Sequence, residues 1–243
     1  MNISFIGYGS MAKSVESIAK NRGHKTVSKI DVNDEISAKN IGKSDVIFDA
    51  TVPDAFLTNY KKIFSLKKDI VVATTGWYDN MEEIKQQVEK AKIRFLYSSN
   101  FSIGVNIYFH IINYASKLIN KTEEYDIWGT EIHHKNKADS PSGTAKILEK
   151  ILLKNIARKQ KIVEHKLDRK IKNDEIHFSS TRGGETNFGH TIAFDSDADY
   201  IKIEHAARNR GGYALGAVKV MEWLKNQPIG FYSMEDYIKN ILA

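Results

Sequence analysis

The chain has no cysteine, which excludes a disulfide framework and a thiolate metal site and leaves nothing that points to an oxidising compartment. No apolar run reaches the length that spans a bilayer, and the opening residues Met1-Asn2-Ile3-Ser4 lack the basic region and apolar stretch of a secretion signal. A cytoplasmic location with no membrane partner and no bound metal is expected. Repeats and low-complexity tracts are missing too, as are aromatics interleaved with arginine, the mark of an RNA-binding sheet. The formal charge of +6 and the pI near 9.2 suit a nucleic acid and an acidic small molecule equally, and composition does not choose between them. Many lysines, as in residues 82–92 and 146–161, follow the scattered pattern of a solvated helix face.

What remains is an ordinary globular chain. Its 243 residues, 42% of them hydrophobic, allow one large domain or two small ones. A short apolar run at residues 2–6 ends in Gly7-Tyr8-Gly9-Ser10-Met11-Ala12 and is followed by a helical stripe at residues 13–21. Strand, glycine turn and helix make the context in which Gly-x-Gly-x-x-Ala binds a dinucleotide: Gly7 for the tight turn, Gly9 for approach of the pyrophosphate, Ala12 for close packing. A second strand at residues 25–30 ends in Asp31, placed to hold the ribose hydroxyls. With Val32 and Asn33 after that acid and Ser10 in the turn, NADH is favoured over NADPH, although Lys13 or Lys29 could reach a 2′-phosphate.

Further strands at residues 44–51, 69–74 and 93–97 alternate with helices at 54–64 and 79–92. This is the pattern of a Rossmann-like, doubly wound parallel sheet whose ligands sit beyond the strands' carboxyl ends, where Thr51, Thr75 and Asn100 fall. A helix at residues 106–121 carries Ile107, Phe109, Ile111, Ile112, Ala115 and Ile119 as an expected core stripe. After it come strands at 124–133, 175–182, 191–195 and 200–206, a helix at 144–155, and closing helices at 213–226 and 233–242. The middle region therefore reads as a smaller α+β domain with a mixed sheet.

The stretch 131–145 concentrates the chemistry. Two adjacent imidazoles, His133 and His134, and two lysines run into Ser140-Pro141-Ser142-Gly143-Thr144. Ser140 reads as the N-cap and Pro141 as the first helical residue, which would leave the N–H groups of Ser142, Gly143 and Thr144 open to a carboxylate or phosphate. An ordinary capped helix behind a solvated basic loop would look the same from Ser-Pro-Ser-Gly-Thr alone; the His-His-Lys-x-Lys run points to a site.

These motifs, together with Ala73-Thr74-Thr75-Gly76, Asn100-Phe101-Ser102-x-Gly104-Val105-Asn106, Glu131-x-His133-His134-x-x-Lys137-x-Asp139-x-Pro141-Ser142-Gly143-Thr144-Ala145 and Arg182-Gly183-Gly184-Glu185 ending in Gly189-His190, occur in an order that resembles the dihydrodipicolinate (4-hydroxy-tetrahydrodipicolinate) reductases of bacterial diaminopimelate and lysine biosynthesis. The resemblance covers essentially the whole chain. It departs in the glycine turn, commonly Gly-x-x-Gly-Arg-Met-Gly in that family, and at Ser140, where alanine is commoner.

The resemblance implies a dinucleotide-binding domain at 1–101 and 208–243, a substrate-binding and oligomerisation domain at 102–207, and a homotetramer assembled through the second domain's sheet. It implies an NAD(P)H-dependent oxidoreductase. The cofactor would lie on Gly7, Gly9, Ser10, Met11 and Asp31, with its nicotinamide against Ala73, Thr74, Thr75, Ser99, Asn100 and Phe101, near Ala50, Thr51 and a basic Arg208. The residue chemistry agrees. Reducing a cyclic imine dicarboxylate needs a hydride, a proton and two anchored carboxylates. His133 can supply the proton as an imidazolium present near neutral pH, and Lys137 can bind a carboxylate or serve as the donor instead. His134, Ser142, Gly143 and Thr144 would hold the substrate. Domain closure would have to bring the two sets together. Two alternatives remain in view: a Rossmann-type amino-acid dehydrogenase, which would oxidise an amine, and a non-catalytic dinucleotide sensor or nucleic-acid binder.

Overall fold

A computed structural model of the chain describes residues 1–242; residue 243, at the end of the expected dinucleotide-binding domain, lies outside them. The chain divides into two compact units, Met1–Ile103 with Gly211–Ala243, and Gly104–Arg210.

The first unit is built on a six-stranded sheet of β1 (Asn2–Ile6), β2 (Lys25–Ile30), β3 (Val46–Asp49), β4 (Asp69–Val72), β5 (Arg94–Tyr97) and β11 (Gly230–Ser233), in the order β11-β5-β4-β3-β1-β2. Its strand pairs are all parallel. The central strands are buried at nearly every position, on both faces. Alternation then sends Phe5, Phe48, Val71 and Leu96 to one core, under α1 (Ser10–Asn21), α7 (Gly211–Leu224) and α8 (Met234–Leu242). Ile6, Ile47, Ile70, Val72 and Phe95 go to the other, under α3 (Pro53–Ser65) and α4 (Met81–Ala91), with α2 (Ala38–Ile41) at its edge. Because β1 has β2 on one side and β3 on the other, the winding reverses between β1 and β3, and a crevice opens at their carboxyl ends.

Two details of this unit go beyond the sequence pattern. Gly230–Ser233, expected to lead into the last helix, forms the sixth strand by pairing with β5; four residues are too few to show a period. At Gly216 on α7 a Cβ would lie 1.8 Å from the Phe101 carbonyl oxygen, so the helix rides directly on that backbone.

The second unit holds α5 (Ile103–Ile119, which begins at the boundary), β6 (Asp126–His133), α6 (Gly143–Asn155), β7 (Lys161–Val163), β8 (Glu175–Arg182), β9 (Phe188–Asp195) and β10 (Tyr200–Ala207). Its sheet, ordered β10-β9-β6-β8-β7, is mixed: β6 runs parallel to β8 and antiparallel to β9. One face packs against α5 and α6, with Tyr108, Ile112, Leu148 and Leu152 on Ile127, Phe178, Ile192 and Phe194. The opposite face carries Trp128 and Ile132, 37% and 41% exposed.

The structure corrects three expectations here. The core edge of α5 is Val105, Tyr108, Ile112, Ser116 and Ile119, with Phe109 and Ala115 partly buried beside it, whereas Ile107 and Ile111 are 37% and 46% exposed. Apolar residues at almost every position hid which ridge faces inward. Lys159, placed with the solvated lysines, is buried because its ammonium donates to the carbonyls of Asn173 and Glu175 at 2.7 and 2.9 Å and meets Asp126 at 2.5 Å. The N-cap of α6 is Ser142, not Ser140: the Ser142 hydroxyl accepts from Ala145 N, while its own N–H goes to Glu131 Oε1 at 3.0 Å. A tertiary partner therefore overrides the local Ser-Pro signal. The donors left at the helix start are Gly143 and Thr144.

Candidate active site

The carboxyl edge of the parallel sheet forms a cleft of about 650 Å³ lined by Gly7, Tyr8, Gly9, Asp31, Ala50 and Thr51, among others. Gly7 has φ +77°, and a Cβ there would lie 2.6 Å from the Ala50 carbonyl oxygen, so only glycine lets the β1 turn pass so close to the turn after β3. Gly9 caps α1 in extended conformation without a side-chain bond, and the space where a Cβ would stand is open. These features fit a dinucleotide pyrophosphate at a helix start.

The rim near Asp31 is acidic, since Asp34 and Glu35 also line it, and Lys62 lies 3.9 Å from Glu35. Lys29 turns to Glu16 at 3.1 Å and stands 4.3 Å from the centre of the Tyr8 ring. Ser10 borders a separate open depression with Lys13, and Met11 packs into the core.

Asp49 knits the turns after β3 and β4. Its enclosed carboxylate accepts from the Thr74 and Thr51 hydroxyls at 2.5 and 3.0 Å, and Thr51 N donates to Thr74 Oγ1 at 2.9 Å. Burial pushes the Asp49 carboxyl up to about 6, with the Thr74 and Thr51 hydrogen bonds pulling it back. Ala73 is half-buried, and Thr75 and Ser99 are exposed. Asn100 Oδ1 accepts from Ser102 N, and Ser99 borders a hollow of about 410 Å³ beyond β5. Phe101 is wholly buried, its ring against Tyr213 and its carbonyl under Gly216 of α7, so it supports the floor of the site from behind, contrary to the expectation that it meets the nicotinamide.

The remaining residues expected at the site lie in the second unit. Alternation along β6 turns Glu131 and His133 to the buried face together. Glu131 Oε1 accepts from Ser142 N at 3.0 Å, Ser180 Oγ at 2.9 Å and Arg182 Nη2 at 2.7 Å. Its Oε2 takes the Ser142 hydroxyl and lies 3.3 Å from Nε2 of both His133 and His190. Burial alone would raise the Glu131 carboxyl, but hydrogen bonds from His190, Ser142, Arg182 and Ser180 outweigh it and hold the group well below the usual carboxylate range.

His133 is likewise buried. Burial pushes its imidazole down to about 4; the Glu131 carboxylate pulls upward, while His190, Arg182 and Lys137 add to the fall. With no substrate present the ring therefore lacks the sizeable imidazolium fraction that the sequence reading expected near neutral pH. After β6 the chain turns: His134 is half-buried, its carbonyl accepting from Lys137 N, and the Lys137 ammonium meets Asp139 at 2.5 Å. Gly143 is exposed and Thr144 half-buried at the start of α6, whereas Ser142 is buried and spent on Glu131. Arg208 is exposed just after β10.

Glu131, His133 and His190 place their ligand atoms within 4.8 Å of one another, a donor set of the kind that holds zinc. The Ser142 hydroxyl donates to the Glu131 Oε2 that both imidazoles face, and the Arg182 guanidinium already balances the carboxylate through Oε1, so the cluster suits a hydrogen-bonded network better than a metal. Glu131, Arg182, His190 and Asp49 are the polar groups whose part sequence reading missed. A carboxylate two positions before His133 on an alternating strand was the available signal.

Two family models match the chain: "Dihydrodipicolinate reductase, N-terminus" over residues 1–101 and "Dihydrodipicolinate reductase, C-terminus" over residues 104–238. The chain belongs to the dihydrodipicolinate reductase family. It is 36% identical over 241 residues to the 4-hydroxy-tetrahydrodipicolinate reductase of Christiangramia forsetii, covering 99% of both chains. With that of Thermosipho africanus the identity is 33% over 240 residues and 98% of both. Among solved structures, a dipicolinate-bound dihydrodipicolinate reductase from Paenisporosarcina sp. TG-14 shares the fold, with a TM-score of 0.74 at 18% identity over 97% of this chain and 98% of that one. As a dihydrodipicolinate reductase family member, the chain is an NAD(P)H-dependent oxidoreductase. Turnover is intrinsic to that class, which removes the non-catalytic sensor, and no described helix is long and apolar enough to cross a membrane.

Proposed function

We propose that the chain reduces the cyclic imine dicarboxylate of the 4-hydroxy-tetrahydrodipicolinate reductase reaction, with a hydride arriving at C4 and a proton at the adjacent carbon. The observation that carries this reading is the segment 131–145, which sets a carboxylate-supported histidine, a lysine and an open helix start within fifteen residues. Thr144 and the N–H groups of Gly143 and Thr144 hold one substrate carboxylate, while His134 and Lys137 orient the other end. Asp139 keeps the Lys137 ammonium in place until the substrate displaces it. His133 delivers the proton once a dianion beside it offsets the burial that now keeps it neutral. Ser142 serves by fixing the helix start rather than by touching substrate.

The cofactor sits in the cleft of the parallel sheet on Gly7, Gly9 and Asp31, with Ala50, Thr51, Ala73, Thr74, Thr75, Ser99 and Asn100 along its nicotinamide end. A reduced nicotinamide bound there supplies the hydride. NADH is favoured: Asp31, Asp34 and Glu35 would repel a 2′-phosphate, and Lys29 is engaged by Glu16. The first unit serves as the dinucleotide-binding domain, and the second as the substrate-binding and oligomerisation domain. The open sheet face with Trp128 and Ile132 supports a homotetramer, and the enzyme works in the cytoplasm.

His133→Ala and Lys137→Ala should each lower kcat on the order of 10²-fold or more with the KM for NADH within about twofold of wild type; near-normal turnover in both would refute the roles. A strong kcat/KM preference for NADPH would overturn the cofactor reading, and a monomer in sedimentation at micromolar concentration the assembly.

A further inference from the structure

Beside His133 lies a carboxylate for which the proposed proton transfer has as yet no use. Glu131 precedes it by two residues on β6 and shares its buried face. The Oε2 of Glu131 is 3.3 Å from His133 Nε2, and that nitrogen is wholly buried with no hydrogen bond of ordinary geometry to any described group. The ring is fenced on its other sides by Phe188, stacked at 5.8 Å, and by His190, edge-on at 5.3 Å. A nitrogen enclosed against a carboxylate cannot reach a substrate. The other nitrogen, Nδ1, is left for that task.

The carboxylate itself is held from several directions. Ser142, Ser180 and Arg182 reach it from α6 and β8, so it stays charged and does not turn away. A fixed anion behind an imidazole selects the tautomer that presents N–H to it and stabilises the doubly protonated ring.

We propose that Glu131 is the positioning residue for His133: it holds the proton-bearing Nε2, sets the tautomer, and leaves Nδ1 as the atom that exchanges the catalytic proton. In the transfer, the Nδ1–H bond of the imidazolium breaks as the C–H bond forms, and the ring is left neutral with its proton on Nε2 facing Glu131. Solvent then restores the proton on Nδ1. Around the ring, His190, Arg182 and Lys137 oppose its protonation, whereas the Glu131 carboxylate favours it. Because the same carboxylate braces Ser142, one anchor sets both the donor and the helix start that holds substrate.

The inference rests on His133 being the proton donor, and its test separates the two claims. Long-range ¹H–¹⁵N correlation spectra of the uniformly labelled full-length enzyme at pH 7, with His133 assigned by loss of its signals in His133→Gln, should show a neutral ring protonated on Nε2. A proton on Nδ1 overturns the proposal, whether or not any Glu131 variant folds. Glu131→Gln should lower kcat on the order of 10²-fold, shift the pH profile of kcat to lower pH, and leave the KM for NADH nearly unchanged. In a His133→Ala background the same substitution should cost less than about threefold, since coupled residues are not additive. An equal loss in both backgrounds would assign Glu131 to the fold alone and overturn the proposal. Should His133→Ala retain full turnover, the donor assignment falls, and with it the inference.

Discussion

Replacing Asp49 with asparagine isolates a charge that the fold holds at a cost. The carboxyl is completely enclosed at the end of β3, and burial lifts it from 3.8 to about 6 against the pull of Thr74 and Thr51. The folded chain therefore binds this proton more tightly than the unfolded one. Between those two values the folded state carries more protons, so the stability this one group contributes is fully present below pH 3.8 and is lost as pH rises through about 6. The gap corresponds to about 3 kcal/mol at pH 7, of which about 2 kcal/mol separates pH 4 from pH 7. Asparagine cannot ionise. Urea unfolding of wild type and Asp49→Asn at a series of pH values, read from the tryptophan fluorescence, should thus show their stability difference moving by about 2 kcal/mol against wild type between pH 4 and pH 7. Trp77 is a local reporter, wholly buried with its indole N–H on the Thr74 carbonyl at 2.7 Å. The other carboxylates are common to both proteins and cancel. A difference flat with pH would refute the reasoning, because it would mean that Asp49 ionises at its ordinary pH and the enclosure has no electrostatic consequence.

Lys159→Met should destabilise the second unit by roughly 1–3 kcal/mol, since it strips the bonds from two carbonyls, while Asp126, its exposed ion-pair partner, is left to solvent; chemical denaturation measures it, and a loss under about 0.5 kcal/mol would contradict the buried network. Gly216→Ala should abolish the thermal stabilisation given by saturating NADH, or prevent folding outright, because its Cβ would stand 1.8 Å from the Phe101 carbonyl oxygen; a variant with wild-type melting and NADH response would disprove that contact. Gly7→Ala should weaken NADH binding on both steric and φ grounds, as titration of protein fluorescence with NADH would report.

How much of this was legible in the sequence depended on whether the deciding interaction is local. The parallel sheet was readable because residues 2–6, 46–49 and 69–72 are short, mostly apolar runs and helices intervene. His133, Lys137 and the α6 start were readable as one contiguous run. Glu131, however, owes its part to Ser180 and His190, which strand register sets opposite it on β8 and β9, and register is not visible in a single strand. The cap of α6 was misplaced for the same reason: Ser142 N answers to a residue eleven positions back. On α5, the competing ridges of Ile107–Ile111 and Tyr108–Ile112 could be ranked only by what packs against them. Lys159 shows the converse, a residue type almost always solvated that three oxygens hold inside.

The pairing of β11 with β5 has a consequence for synthesis. The edge of β5 is complete in sequence at residue 97, but its partner begins at residue 230, with the whole second unit emerging in between. At a ribosome's ~5–20 residues per second, the nascent first unit waits on the order of ten seconds with one strand edge bare and with α7 and α8 not yet available to cover its core. An open parallel edge of that kind can recruit other chains. The first unit is accordingly the part most exposed to misassembly during translation, although its first ninety-seven residues leave the ribosome before any of the second unit does.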